Sequence, residues 1–248
     1  MRNANPMTSS SPFREGAKAA IPIWIAFIPF SFALGVAAKA NGLSLGEIVL
    51  MSALVYAGPA QFAVLEPLGS GKPALQILVT TFLINLRFLP MSTAMAPYFR
   101  RVRRATLLLC SHLISASSFI LPYARFQRES QVAPPEETAE FTGRSNLRYF
   151  LGVGVTSFSV WVVGSGIGYW AALQVPAGFE EGLKFILPGY FACMLTTEIR
   201  ERTTLVIGIT SFLIAVPGAL LNPDWGWLVT AFVAATLGWC IERWTRRA

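Results

Sequence analysis

Apolar residues fall in blocks about as long as a bilayer is thick, and few folds other than a helical membrane bundle can bury them. Eight such blocks run approximately 19–38, 46–65, 75–97, 105–124, 148–173, 183–197, 203–221 and 225–241. A helix needs about 20 apolar residues to cross the roughly 30 Å hydrocarbon core. Charge is scarce enough to agree. Only 13% of the residues are charged and 54% are hydrophobic, whereas soluble domains carry about 25% charged residues. The chain reads as an all-α polytopic membrane protein with seven to eight transmembrane segments, some of them broken or re-entrant.

The net charge of +7 follows from arginines between and beyond the apolar blocks, as in "RRVRR" (100–104) and "RWTRR" (243–247). Cytoplasmic loops collect Lys and Arg, so orientation accounts for the excess and nucleic-acid binding is not expected. Residues 1–16 are polar and lack the short apolar region and cleavage site of a signal peptide, so the first block reads as a retained span. Cys110, Cys193 and Cys240 lie within apolar runs without metal-ligand spacing. No metal, cofactor or enzymatic chemistry is expected, since no His-Cys-Glu cluster and no Ser-His-Asp set is present.

The charged stretch 125–147 reads as a cytoplasmic linker between a first half, 1–124, and a second, 148–248. The second half orients cleanly by its charges, with the C-terminus cytoplasmic. The first half does not. If Arg14 and Lys18 are inside and three blocks cross, "RRVRR" is stranded outside. Either the N-terminus lies outside or an early segment is re-entrant. Non-helical backbone at membrane depth is tolerated only inside protein or along a cavity.

"YAGPAQF" (56–62) is the expected place for such a break. Pro59 has no N–H to donate and crowds the carbonyl four residues back, and Gln61 adds an amide beside it. At an offset of 129 residues, Gly35, Pro59, Phe62 and Ala63 match Gly164, Pro188, Phe191 and Ala192. An internal, inverted repeat would make Pro188–Gly189 the counterpart of Gly58–Pro59. Paired Gly/Pro interruptions in corresponding halves point to a transporter binding site.

Arg87 stands near the middle of the third block, where a charge costs about 2.5–3.5 kcal/mol on insertion scales. No Asp or Glu lies mid-span. Its planar fork suits a carboxylate, so the solute or a partner subunit is expected to supply the anion. Freed backbone at Gly58–Pro59, with Gln61, would hold the rest of the solute. Asn85 bonds across helices or touches ligand. Gly164 and Gly168 allow close helix contact; Ser157 is a candidate to touch the solute, and Trp161 and Tyr169 line a pocket or sit on lipid. His112, the single histidine, and Glu66 are the candidates for proton coupling.

The stretches "REGAKAAIPIWIAFIPFSFALG", "LSLGEIVLMSALVYAGPAQF", "LINLRF", "TSFSVWVVGSGIG" and "LKFILPGYFACML" resemble the AzlC family, the large subunit of two-component branched-chain amino acid exporters. The resemblance covers most of the chain. It implies a permease of the inner or plasma membrane that exports leucine, isoleucine and valine on the proton motive force, together with a small AzlD-type membrane partner. Gly58, Gln61, Asn85 and Arg87 fall on the family's motif positions. Two positions depart from it. Phe88 stands where the family usually has His, and Ser115-Ala116 where it often has an acidic pair.

Overall fold

The computed structural model describes residues 11–130, 139–174, 202–221 and 226–245. All regular elements among them are helices, and three stretches are long and apolar enough to cross a membrane: Ile21–Ala40, Ala74–Phe99 and Gly143–Ala172. The chain forms two compact units, Met1–Leu183 and Lys184–Ala248.

The first unit is built on helices that run side by side. Helix α1 (Pro12–Ala19) opens on a Pro, carries Glu15 in its first turn and Lys18 in its last, as the helix dipole favours. It leads through Ala20 into α2 (Ile21–Ala40), whose 20 residues make about 30 Å. A longer helix from the end of this unit, α9 (Ala139–Ala172), lies against both. Glycines set the distance between them. A Cβ at Gly35 would clash with the Ser165 carbonyl, one at Gly168 with the Phe32 carbonyl, and one at Gly164 with the Ser31 hydroxyl. Towards the start of α9, a Cβ at Gly152 would meet the backbone of Phe13, and one at Gly16 that of Tyr149. From Ser31 against Gly164 to Gly35 against Gly168 the residue numbers rise together, so α2 and α9 are parallel. The close approach expected of Gly164-x-x-x-Gly168 is present.

The block 46–65 does not run straight. Helix α3 (Leu45–Val55) starts in a capping box, with the Glu47 amide donating to the Ser44 hydroxyl and the Ser44 amide to the Glu47 carboxylate. It stops at Tyr56, whose left-handed backbone (φ 40, ψ 42) ends the ladder and is rare outside glycine. Helix α4 (Gly58–Gly69) then begins with Pro59 in its first turn, where no N–H is missed. The chain turns back: a Cβ at Gly69 would lie 2.6 Å from the carbonyl oxygen of Asn41, the residue that caps α2. Helices α3 and α4 therefore form a hairpin with both ends beside the C-terminal end of α2. A cavity of about 530 Å³ lies between its arms, lined by Asn41, Glu47, Leu50, Leu54 and Leu68 among others.

From there α5 (Ala74–Asn85), a turn at Leu86–Arg87, α6 (Phe88–Met95) and a 3₁₀ turn (Ala96–Phe99) run to the opposite end of the unit. There the Asn146 amide of α9 donates to the Tyr98 carbonyl at 3.1 Å. A second hairpin starts at this end. Helix α7 (Arg104–Ser111) is followed by a break at His112–Ser115 and by α8 (Ala116–Ser130). The Ser115 hydroxyl caps α8 by accepting from the Ser118 amide at 3.2 Å. The Ser118 hydroxyl accepts from the Ser115 amide and donates to the Leu113 carbonyl. At its far end α8 has come back: Phe126 packs on Phe99, ring centroids 5.9 Å apart, and Arg125 reaches Glu15 of α1 at 3.0 Å.

The stretch 125–147, expected to be a linker, is helical at both ends. Phe126 is buried, Arg125 pairs with Glu129 one turn on at 2.7 Å and lies over Tyr149, and Asn146 and Phe150 are buried on the other side. Among the described residues there, Arg128, Glu129 and Arg144 lie on exposed faces of packed helices. Helix α9, counted with the second half, packs on α1, α2 and α3 within the first unit.

In the second unit α10 (Arg202–Leu221) and α11 (Gly226–Thr245) pack together. A Cβ at Gly218 would clash with the Thr230 hydroxyl, which donates to the Gly226 carbonyl at 2.7 Å.

Candidate functional site

The two hairpins enter from opposite ends of the first unit, and their tips touch. His112 Nε2 donates to the Ala53 carbonyl at 2.7 Å. That carbonyl belongs to the last turn of α3, one of the groups a helix end leaves without a partner. The Tyr56 ring meets Phe158 of α9 edge-on at 5.1 Å, and His112 meets the same ring at 5.7 Å. A Cβ at Gly154, one turn before Phe158, would lie 3.0 Å from Leu113. Helix α9 thus backs both tips. Two helix N-termini, α4 and α8, start at the tips, and two C-termini, α3 and α7, end there. The first carry partial positive charge and the second partial negative.

A buried polar cluster fastens the first tip to α9. Gln61 is fully buried and Trp161 nearly so. Trp161 Nε1 donates to Gln61 Oε1 at 2.9 Å, and Gln61 Nε2 donates to Ser52 Oγ at 3.1 Å. The hydroxyls of Ser52 and Ser165 are 2.9 Å apart, and Ser165 also reaches the Val162 carbonyl. The cluster ties α3, α4 and α9 together at the interruption of the backbone ladder. Gly58 is required by the same contact, because a Cβ there would lie 2.8 Å from the Trp161 ring. Phe27 of α2 packs edge-on against that ring at 5.1 Å.

Of the residues singled out from sequence, Gly58, Pro59, Gln61, Trp161 and His112 come together at the tips. Gln61 turns its oxygen and one N–H to protein partners, so its first role is to hold the break in place. Ser157 lies on α9 one turn before Trp161; it is fully buried, and its hydroxyl has no hydrogen-bond partner among the described residues. The buried Tyr56 hydroxyl interacts with Ser115 of the other tip, short of hydrogen-bond geometry. Asn85 ends α5 and Arg87 opens α6, near the middle of the stretch Ala74–Phe99, with the guanidinium 5.0 Å from the Phe88 ring. Neither belongs to the hydrogen-bonded cluster around Gln61. Glu66 is exposed near the far end of α4, away from the tip. Pro188 and Gly189 lie outside the described residues. Sequence reasoning missed Ser52 and Tyr56; a polar Ser shortly before the Gly-Pro break, on the same apolar helix, was the available signal. Among the described residues no three His, Cys, Asp or Glu side chains are placed to hold a metal ion.

Residues 22–175, the span from α2 through both hairpins to α9, match the family model described as AzlC protein. The chain belongs to the AzlC family. It is 25% identical over 229 residues to the inner membrane protein YgaZ of Escherichia coli strain K12, covering 87% of this chain and 88% of that protein. It is 29% identical over 239 residues to a protein of Archaeoglobus fulgidus described as an uncharacterized membrane protein, covering 94% and 97%. No solved structure matches this AzlC-family chain. Its AzlC membership and its apolar helices make it a membrane protein of transporter type.

Proposed function

We propose that this chain is the large subunit of a secondary transporter that exports small hydrophobic amino acids, with a small AzlD-type membrane subunit as its partner and the proton motive force as its energy source. The observation that carries the reading is the meeting of two hairpins from opposite ends of one helical unit. The first arm of the first hairpin, 11 residues long, reaches about 17 Å, roughly half of a 30 Å hydrocarbon core. Broken backbone at that depth belongs inside protein or beside a cavity, and transporters place their solute sites at such breaks.

In this reading the N-terminal end of α2 faces the cytoplasm. Arg14, Lys18, the run 100–104, Arg125, Arg128, Arg144 and Arg148 then share the inner side, which satisfies the positive-inside rule. Blocks 46–65 and 105–124 are re-entrant. The chain crosses at α2, α5–α6 and α9, and α10 and α11 each cross in the second unit; the arginines at 243–247 put its C-terminus in the cytoplasm. A zwitterionic solute suits the meeting point. Its carboxylate finds helix N-termini and, near the same depth, the Arg87 guanidinium; its ammonium finds the carbonyl ends of α3 and α7.

The test is efflux. Cells are loaded with leucine-containing peptides, and leucine release is followed with and without this chain and its small partner. Faster release with both is expected. Unchanged release of leucine, isoleucine and valine would remove the amino acid reading.

A further inference from the structure

The sequence contains a second repeat, at a shorter offset, and the structure gives it meaning. Phe27-Ile28-Pro29-Phe30-Ser31-Phe32-Ala33-Leu34 in α2 parallels Phe88-Leu89-Pro90-Met91-Ser92-Thr93-Ala94-Met95 in α6. Phe, Pro, Ser and Ala recur at 27/88, 29/90, 31/92 and 33/94, an offset of 61. At the tips, Ser52-Ala53-Leu54-Val55 parallels Ser111-His112-Leu113-Ile114, an offset of 59. Each copy is a long helical stretch followed by a hairpin: α2 with α3–α4, then α5–α6 with α7–α8. The copies run in opposite directions through the unit.

The contacts between the tips obey the same offset. Ala53 is held by His112, and Tyr56 faces Ser115. Both pairs are 59 residues apart. A residue touches its own counterpart only beside the two-fold axis that relates them. In transporters with inverted repeats, the solute sits at the interface of the copies near the bilayer midplane.

We infer that residues 21–130 form a tandem inverted repeat about an axis between the hairpin tips, and that the solute's carboxylate binds on this axis, held by the first-turn amides of α8 with the hydroxyls of Tyr56 and Ser157. This rests on the transporter reading and places its site. The Ser118 amide is taken by Ser115 Oγ and the Phe119 amide by the Ser115 carbonyl, which leaves the Ala116 and Ser117 amides at the head of α8. Independently, the buried Ser157 hydroxyl (0% exposed) lacks a hydrogen-bond partner among the described residues, and the buried Tyr56 hydroxyl (3% exposed) has Ser115 beside it outside hydrogen-bond geometry. Ser157 adjoins Phe158, the ring on which both tips rest. The Ala53 carbonyl, which accepts from the His112 N–H, is where the solute's ammonium docks. Binding therefore exchanges the tip-to-tip hydrogen bond for one to the solute.

The experiment uses the full chain with its small partner in peptide-loaded cells. Tyr56→Phe and Ser157→Ala each remove one oxygen. Each is expected to raise the internal leucine needed for half-maximal efflux about tenfold, the loss of one charge-assisted hydrogen bond, at unchanged membrane abundance. A second readout does not need transport. With the native cysteines replaced, Ser115→Cys is labelled by a small membrane-permeant maleimide, and leucine is expected to slow that labelling at least fivefold. Leucine efflux by the unsubstituted protein, with normal half-saturation in both variants and labelling indifferent to leucine, overturns the site while leaving the transporter standing. Absence of leucine, isoleucine and valine efflux by the unsubstituted protein, with labelling indifferent to all three, overturns the amino acid transporter reading itself.

Discussion

Replacing Gln61 and Trp161 singly and together tests whether the first hairpin is fastened to α9 by their hydrogen bond. The two groups are 2.9 Å apart and buried, with Gln61 fully shielded and Trp161 5% exposed. Gln61→Met keeps the volume but strands the indole N–H, and a buried orphaned group costs about 1–3 kcal/mol. Ser52 is not stranded, because Ser165 remains 2.9 Å away. Trp161→Phe strands the Gln61 oxygen at a similar cost, and also opens a void beside Gly58, where the indole lies 2.8 Å from the position a Cβ would take. The double variant strands neither partner of that bond, so its destabilisation should fall short of the sum. Coupling energies between side chains in a membrane bundle average about 0.6 kcal/mol and reach about 1.7. A fully desolvated pair belongs at the upper end, about 1.5 kcal/mol. The assay is equilibrium unfolding in mixed micelles with rising dodecyl sulfate, followed by tryptophan fluorescence from the remaining indoles. Distant sites add within about 0.3–0.5 kcal/mol. Coupling no larger than that would show the contact to be incidental and would refute its role as a fastener.

Three other perturbations probe the packing and the charge. Gly168→Val sets a branched side chain against the Phe32 backbone, where overpacking costs about 1–3 kcal/mol or more; the variant should lose its monodisperse peak in size-exclusion chromatography in detergent, and a normal peak would contradict the parallel α2–α9 contact. Arg125→Ala should shift stability by less than about 1 kcal/mol in the same unfolding assay, because its carboxylate partners are partly exposed and surface pairs contribute little. Arg87→Gln should lower leucine efflux at least tenfold, about 1.4 kcal/mol of solute stabilisation; unchanged efflux of a carboxylate-bearing solute would release Arg87 from any part in binding.

Much of the frame was legible in the residues alone. Block 19–38 corresponds to α2, 75–97 to the stretch Ala74–Phe99, and Gly164-x-x-x-Gly168 to a close helix contact, because hydropathy and small residues act locally. The Gly58–Pro59 break was legible for the same reason. Direction was not. Blocks 46–65 and 105–124 are equally apolar whether the chain passes on or turns back, and the trace of a turn was the misplaced charge at 100–104. The second break, His112–Ser115, contains neither Gly nor Pro. A Ser115 cap ends the ladder there, and serines within an apolar run are ordinary packing residues in membranes. The repeat at offset 129 stands out because it pairs two prolines. The one at 59–61 also pairs two prolines, Pro29 and Pro90, but its offset changes between helix and tip, and it carries meaning only once the tips are seen to touch. For the proposed site, Gln61, Trp161 and Ser157 were legible as polar groups in apolar runs, whereas Tyr56 reads as an aromatic like any other until its left-handed backbone is known.

The bond between Gln61 and Trp161 joins residues 100 positions apart, and this has a bearing on how the protein is made. The ribosome adds about 5–20 residues per second, so α3 and α4 leave it roughly 5–20 seconds before the helix that secures them. During that interval an apolar stretch with an interrupted ladder has no surface to lean on, and lipid offers its open amides nothing. Nascent chains halted before residue 161 should therefore stay with the insertion machinery, and release into the bilayer should coincide with the emergence of α9.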